Sequence, residues 1–207
     1  MKVIGVFLQK GNADTHESED VSLKSMGITM LADSSLLKEG KPFFMPDFCE
    51  GGSMRTLLVY RICRLGKNIS RKFAHRYWDA VTVGVHLRAD KLANELTEAG
   101  LPLDMALNFD SAMPVGEFIP SSELTADGGA IEYSLLSGAD STPLQSLSTA
   151  HWPVSIDTII EHISRYYTLK IGDLIAVGGA DFPLHPAIGQ TFDGSLQGRP
   201  VLSLKIK

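Results

Sequence analysis

His16 is followed by Glu17, Glu19 and Asp20 in a polar stretch, and His16 and Glu19 stand three residues apart. An imidazole beside a carboxylate can take up a proton and pass it on, which makes the pair a candidate for general acid–base chemistry. The same residues also suit a solvated acidic loop. Further along the balance reverses: between Glu50 and Asp79 there is no Asp or Glu, while Arg55, Arg61 and Arg64 are interleaved with apolar residues. Mg2+ and Ca2+ need several anionic oxygens, and this span can offer none. A guanidinium in it would suit a carboxylate or phosphate instead. Cys49 and Cys63 are too few and too unpatterned for a disulfide framework or a zinc cluster. No Gly-x-Gly-x-x-Gly, Walker loop, His-Glu-x-x-His or Gly-x-Ser-x-Gly occurs, so nucleotide binding, zinc proteolysis and the usual serine hydrolase scheme have no support.

The residues that must position these groups follow from periodicity. Ile156, Ile159, Ile160, Ile163 and Tyr167 recur at helical spacing behind Ser155 as N-cap, with Asp157 in the first turn and His162 on the polar side. Leu174–Val177 then reads as a short buried strand ending in Gly178 and Gly179, so a helix is laid against a strand. Strands are expected at Lys2–Leu8, near Ile28–Leu31, over Arg55–Leu65 and over Ala80–His86. In the Arg55–Leu65 strand Thr56, Leu58, Tyr60 and Ile62 share one face, and Leu57, Val59, Arg61 and Cys63 the other. Gly66-Lys67-Asn68 is a turn, Ser70 begins a helix through Trp78 that carries His75 among aromatics, and Ala89–Ala99 is a helix ended by Gly100 and Pro102. Residues 131–145 read as a hairpin about a Gly-containing turn, with further strands at Pro186–Phe192 and Val201–Ile206.

With 207 residues, 44% of them apolar, the chain is long enough for one well-buried core, and a single domain over 1–207 is expected. A net charge of −5 argues against a nucleic-acid partner, and no apolar run is long enough for a membrane span. The opening MKVIGVFLQK reads as a first strand and not as a signal peptide, so a cytoplasmic protein is expected.

The run Ile160-x-x-x-Ser164-x-x-x-Thr168-Leu169-x-x-Gly172-Asp173-Leu174-Ile175 resembles the last conserved block of the fumarylacetoacetate hydrolase family. So do Lys41-Pro42-Phe43 through Pro46, Gly66-Lys67-Asn68-Ile69, Phe109 through Gly116, and Ser137, Gly138 and Gln145. The resemblance is loose over residues 1–40 and better over 41–207. It implies an α+β fold, a mixed, coiled β-sheet roll with a few peripheral helices, and usually a homodimer. It also implies hydrolysis, isomerisation or decarboxylation of 2-oxo or 2,4-dioxo acids with the help of Mg2+, Mn2+ or Ca2+.

Carried over residue by residue, the resemblance places Arg55, Leu57 and His86 where the family holds its metal with two Glu and an Asp. Leu107 stands for a Lys, and Val177 and Gly179 stand for two loop threonines. His16 and Glu19 have the spacing of a His-x-x-Glu pair near the family's N-terminus, although counting back from Lys41-Pro42-Phe43 puts the family's His nearer Asp14. The expectation is a diverged, catalytically silent relative that holds no metal cofactor. Its cleft, lined by Arg55, His86, Arg88, Gln145, Gly178 and Gly179, binds an anionic 2-oxo-acid-like metabolite or serves as a partner surface, as a homodimer or a heterodimer with a paralogue. The alternatives are that Arg88 pairs with Asp90, that His86 is an ordinary strand residue, or that the chain is an active hydrolase, isomerase or decarboxylase with an altered or metal-independent site.

Overall fold

Ser53–Ile62 carries apolar residues at both parities, and a strand with two apolar faces must be covered on both sides. It holds that position in the computed structural model, which describes residues 1–9, 26–38, 40–124, 129–138 and 142–207. In chain order it is β4, after β1 (Val3–Leu8), β2 (Met26–Leu31) and β3 (Leu36–Lys38). It pairs antiparallel with β5 (Trp78–Arg88) on one side and with β10 (Leu174–Gly179) on the other. β1 lies parallel to β10, and β2 runs back along β1. Beyond β5 come β6 (Met113–Val115), β7 (Ile119–Pro120), and β3 parallel to β6. The result is an eight-stranded mixed sheet.

A second, antiparallel sheet in the order β12 (Arg199–Lys205), β11 (Thr191–Leu196), β8 (Glu132–Ser137) and β9 (Pro143–Ser148) packs against β5. A Cβ added at Gly194 would lie 3.0 Å from Val83 Cγ1, so a bare backbone is what lets β11 come this close to β5. With the helices α1 (Arg71–Ala74), α2 (Asp90–Glu98), α3 (Asp104–Leu107) and α4 (Ile156–Tyr166), the architecture is the expected α+β roll.

Alternation along β4 divides the interior in two. Met54, Leu58, Tyr60 and Ile62 enter the larger core with Ile4, Ile175 and the α4 residues Ile159, Ile160 and Ile163. Leu57 and Val59 enter a smaller cluster with Val3, Leu31, Met113 and Ala176. α4 forms where expected, and Ser155 Oγ accepts from Thr158 N at 3.3 Å as its N-cap.

Four local expectations are corrected. The helix from Ser70 stops at Ala74, because Tyr77 O accepts from Cys63 N at 2.8 Å and Trp78 opens β5 with its ring edge-on to Tyr60. His75 is exposed at the end of that short helix rather than packed away. His162, expected on the polar side of α4, is buried, with its ring beside that of Tyr166. The strand expected at Pro186–Phe192 begins at Thr191, after Gly189 turns the chain at φ 92°.

Candidate functional site

Arg55 and His86 face each other across the β4–β5 ladder, on the same side of the sheet as Leu57. Both are enclosed, with Arg55 4% exposed and His86 fully buried. A buried guanidinium must have its N–H groups satisfied, and among the described residues no carboxylate does it. Its Nη1 donates to the Gly179 and Ala180 carbonyls at 3.0 and 3.2 Å. Its Nη2 and Nε converge on His86 Nδ1 at 3.0 and 3.4 Å.

The planar cation is also sandwiched. Its Cζ lies 3.3 Å from the Phe7 ring centroid and 4.0 Å from that of Phe182, so two aromatic faces complete its solvation. His86 in turn stacks on Phe7, with centroids 5.9 Å apart and planes 10° from parallel.

The tautomer of His86 follows from its partners. Arginine only donates, so Nδ1 is the acceptor, and Nε2–H donates to the Leu107 carbonyl at 2.8 Å. Burial, with Arg55 as a neighbouring positive charge, pushes the imidazole down to about 3, against a weaker upward pull from the Leu107 bond. Burial, then the like charge of Arg88, pushes Arg55 down to about 9, with Asp181 partly opposing. At neutral pH the pair is one guanidinium cation and one neutral imidazole.

The other expected residues divide. Gly178 sits opposite Leu57, and Gly179 supplies a carbonyl to Arg55. Arg88, half-buried, lies at 5.5 Å over Phe182, and its Nε stands 3.2 Å from Asp90 Oδ1, a charge contact without hydrogen-bond geometry. Gln145 is not in this group: its Oε1 accepts from Thr56 Oγ1 at 2.6 Å, and Thr56 points to the other face of β4. His16 and Glu19 lie outside the described residues. Phe7, Phe182 and the Leu107 carbonyl belong to the cluster and were not anticipated. β1 and the loop after β10 reach it only through the parallel β1–β10 pairing, which no local pattern announces.

These residues do not fit a hard divalent cation. The position offers a guanidinium, a fully buried leucine and an imidazole nitrogen that already accepts from the guanidinium. Among the described residues no three His, Cys, Asp or Glu side chains stand together as a ligand set. What the arrangement does chemically is hold a cation of its own between β4, β5 and the chain after β10.

A family model described as fumarylacetoacetate (FAA) hydrolase C-terminal matches residues 8–187. Among curated proteins, the chain is 27% identical over 145 residues to a mitochondrial oxaloacetate tautomerase of Caenorhabditis elegans, covering 70% of this chain and 66% of that one. It is 31% identical over 116 residues to an oxaloacetate tautomerase of Escherichia coli, covering 54% and 52%. The alignments thus span just under two thirds of the nematode relative and about half of the bacterial one. Among solved structures, a fumarylpyruvate hydrolase from Pseudomonas aeruginosa, in complex with Mn2+ and pyruvate, shares the fold. Its TM-score is 0.81 at 18% identity, over 100% of this chain and 89% of that one.

Proposed function

The chain belongs to the fumarylacetoacetate hydrolase family, and we propose that it is a metal-independent member, catalytically silent as a hydrolase, in which an internal guanidinium has taken over the metal's place. One observation carries this reading: the Arg55 cation has its N–H groups taken up by His86 Nδ1 and two main-chain carbonyls and is clamped between Phe7 and Phe182. A cation brought to the same space would meet a fixed positive charge. Two unit charges about 4 Å apart at an effective dielectric near 20 repel by about 4 kcal/mol. The remaining role is binding an anionic 2-oxo-acid-like metabolite, for which Arg88 is the more accessible cation, as a homodimer or beside a paralogue.

The test is to assay the purified chain on acylpyruvates and on oxaloacetate with Mn2+, with Mg2+ and with chelator, alongside thermal melts. No turnover and no metal-dependent shift in melting temperature are expected. Hydrolysis that Mn2+ restores and chelator abolishes would overturn the reading.

The relatives' names support a second reading, a metal-free oxaloacetate tautomerase. Keto–enol interchange needs only a proton moved between carbon and oxygen, together with an anchor for the carboxylates. It would appear as tautomerisation insensitive to chelator and lost in Arg88→Ala.

A further inference from the structure

Two stretches of this chain carry no Asp or Glu, residues 51–78 and residues 162–172, and the fold lays the end of one beside the end of the other. Ile62 N donates to the Asp173 carbonyl and Gly172 N to that of Ile62, each at 2.8 Å. Gly66 and Leu169 exchange both main-chain bonds, at 3.0 and 2.8 Å. The two segments therefore run antiparallel, with Arg64 and Leu65 beside Lys170 and Ile171. Lys67 Nζ donates to the Tyr166 carbonyl at 3.1 Å and Asn68 N to the Ser164 carbonyl at 3.0 Å, which fixes this knob to the end of α4. α1, which carries Lys72, packs against α4.

The knob stands at the end of the eight-stranded sheet where β4 finishes and β10 and β1 begin, whereas Arg55 is held by Gly179 at the far end of β10. Leu8 and Met26, which flank residues 10–25, also stand at that far end.

Its surface is basic and apolar at once. Arg64, Lys67, Lys72 and Lys170 are exposed, and among the described residues none of them lies within ion-pair distance of a carboxylate. The acids nearby are engaged, Asp79 with Arg61, Glu161 with Arg165 and Asp173 with Lys2. Leu65 is 66%, Tyr166 59% and Ile171 74% exposed, and Ile171 is the most exposed large apolar side chain among the described residues. Apolar residues scattered singly over a surface need no explanation, but three on adjoining segments among unpaired cations do.

We propose that this knob is a docking surface for an anionic lipid bilayer, with Leu65, Tyr166 and Ile171 entering the boundary between headgroups and acyl chains and Arg64, Lys72 and Lys170 lying against the lipid charges. Such an interface offers negative charge and apolar depth in one place, so it uses both kinds of side chain. A nucleic acid would use the charge and leave the two aliphatic side chains in water. On a chain of net charge −5 a long polyanion would also meet acidic surface beyond the knob, while a bilayer need touch only this end. Neither the family match nor the Arg55 cluster bears on this surface.

The experiment sediments the whole chain with vesicles of equal parts phosphatidylserine and phosphatidylcholine and, separately, of phosphatidylcholine alone. Binding to the mixed vesicles that falls as salt is raised is expected, with little binding to phosphatidylcholine. The double variants Arg64→Glu/Lys170→Glu and Leu65→Ser/Ile171→Ser are each expected to bind about tenfold or more weakly. All four positions are exposed, so both variants are expected to fold, which thermal melting checks, and the lipid and salt comparison on the unaltered chain stands whether they fold or not. No binding to the mixed vesicles, equal binding to phosphatidylcholine alone, or undiminished binding by either folded variant would each overturn the proposal. So would self-association of the chain without lipid that Leu65→Ser/Ile171→Ser abolishes, since a second copy would then be the occupant.

Discussion

A buried guanidinium is tolerable only while every contact around it holds, and the contacts of Arg55 are numerous and specific. Replacing it by Met takes the donor away from the buried His86 Nδ1 and from the carbonyls of Gly179 and Ala180, two exposed residues that water can reach. With the full penalty falling on the buried His86 Nδ1, Arg55→Met is expected to destabilise by about 1–3 kcal/mol in urea unfolding. Lys cannot substitute, because a point charge neither stacks between two rings nor spreads donors over three acceptors. Adding His86→Leu to Arg55→Met should cost less than the two changes summed, since the second removes an acceptor the first has orphaned. His86 also gives stability a pH dependence. Its folded value of about 3 lies below the ordinary 6.5, so protons bind preferentially to the unfolded chain. Its contribution is complete above pH 6.5 and is lost as the pH falls toward 3, with a slope of up to about 1.4 kcal/mol per pH unit. Asp173 and His162 are shifted in the same direction, so the measurement is the difference in acid-side slope between the natural chain and His86→Gln.

Elements set where that pair can stand. β10 approaches β4 so closely that a Cβ at Gly178 would lie 2.5 Å from Leu57 Cδ2 and 2.9 Å from the Thr56 carbonyl. The second of these is backbone and cannot swing away. Gly178→Ala should therefore push the strands apart, displace the Gly179 carbonyl from Arg55, and cost about 1–3 kcal/mol by thermal melting. α4 depends less on contact and more on its end. Ser155→Ala removes the N-cap acceptor for Thr158 N and is expected to cost about 1 kcal/mol, with little effect on the Arg55 cluster on the other face of the sheet.

At the scale of the molecule, the first strand is tied to a strand from the far end of the chain. Asp173 Oδ1 accepts from Lys2 N and Oδ2 from Lys170 N, each at 2.8 Å, and the carboxylate pairs with Lys2 Nζ. Burial alone would raise this carboxyl, but the bonds from Lys2 and Lys170 outweigh it and hold it below the ordinary range. Asp173→Asn exchanges an acceptor for a donor at that junction and should cost about 2 kcal/mol in chemical unfolding. Because Phe7 reaches Arg55 from β1, the same change should also loosen the aromatic clamp. No helix among the described residues is long and apolar enough to cross a membrane.

Much of this was legible before any coordinates. The two-faced apolar pattern of β4 required a strand covered on both sides, isoleucine spacing with Ser155 required α4, and the run without Asp or Glu from residue 51 to 78 left β4 itself without a carboxylate. Those are local or compositional properties of single stretches of chain, and what other segments bring beside them is settled elsewhere. Whether Arg55 would face an outside anion or be consumed internally was not local. It was decided by the parallel β1–β10 pairing that brings Phe7 over the guanidinium, by the loop that returns Phe182 and two carbonyls, and by the ladder that sets His86 opposite. Gln145 was separated from that group for the same reason, since the side of a sheet on which a side chain lands depends on the register of partners far away in sequence. A cavity lined by Tyr60, Trp78, Trp152 and Asp157 likewise draws on β4, β5, the turn after β9 and α4. Their convergence is a property of packing, which residue types and spacing do not encode on their own.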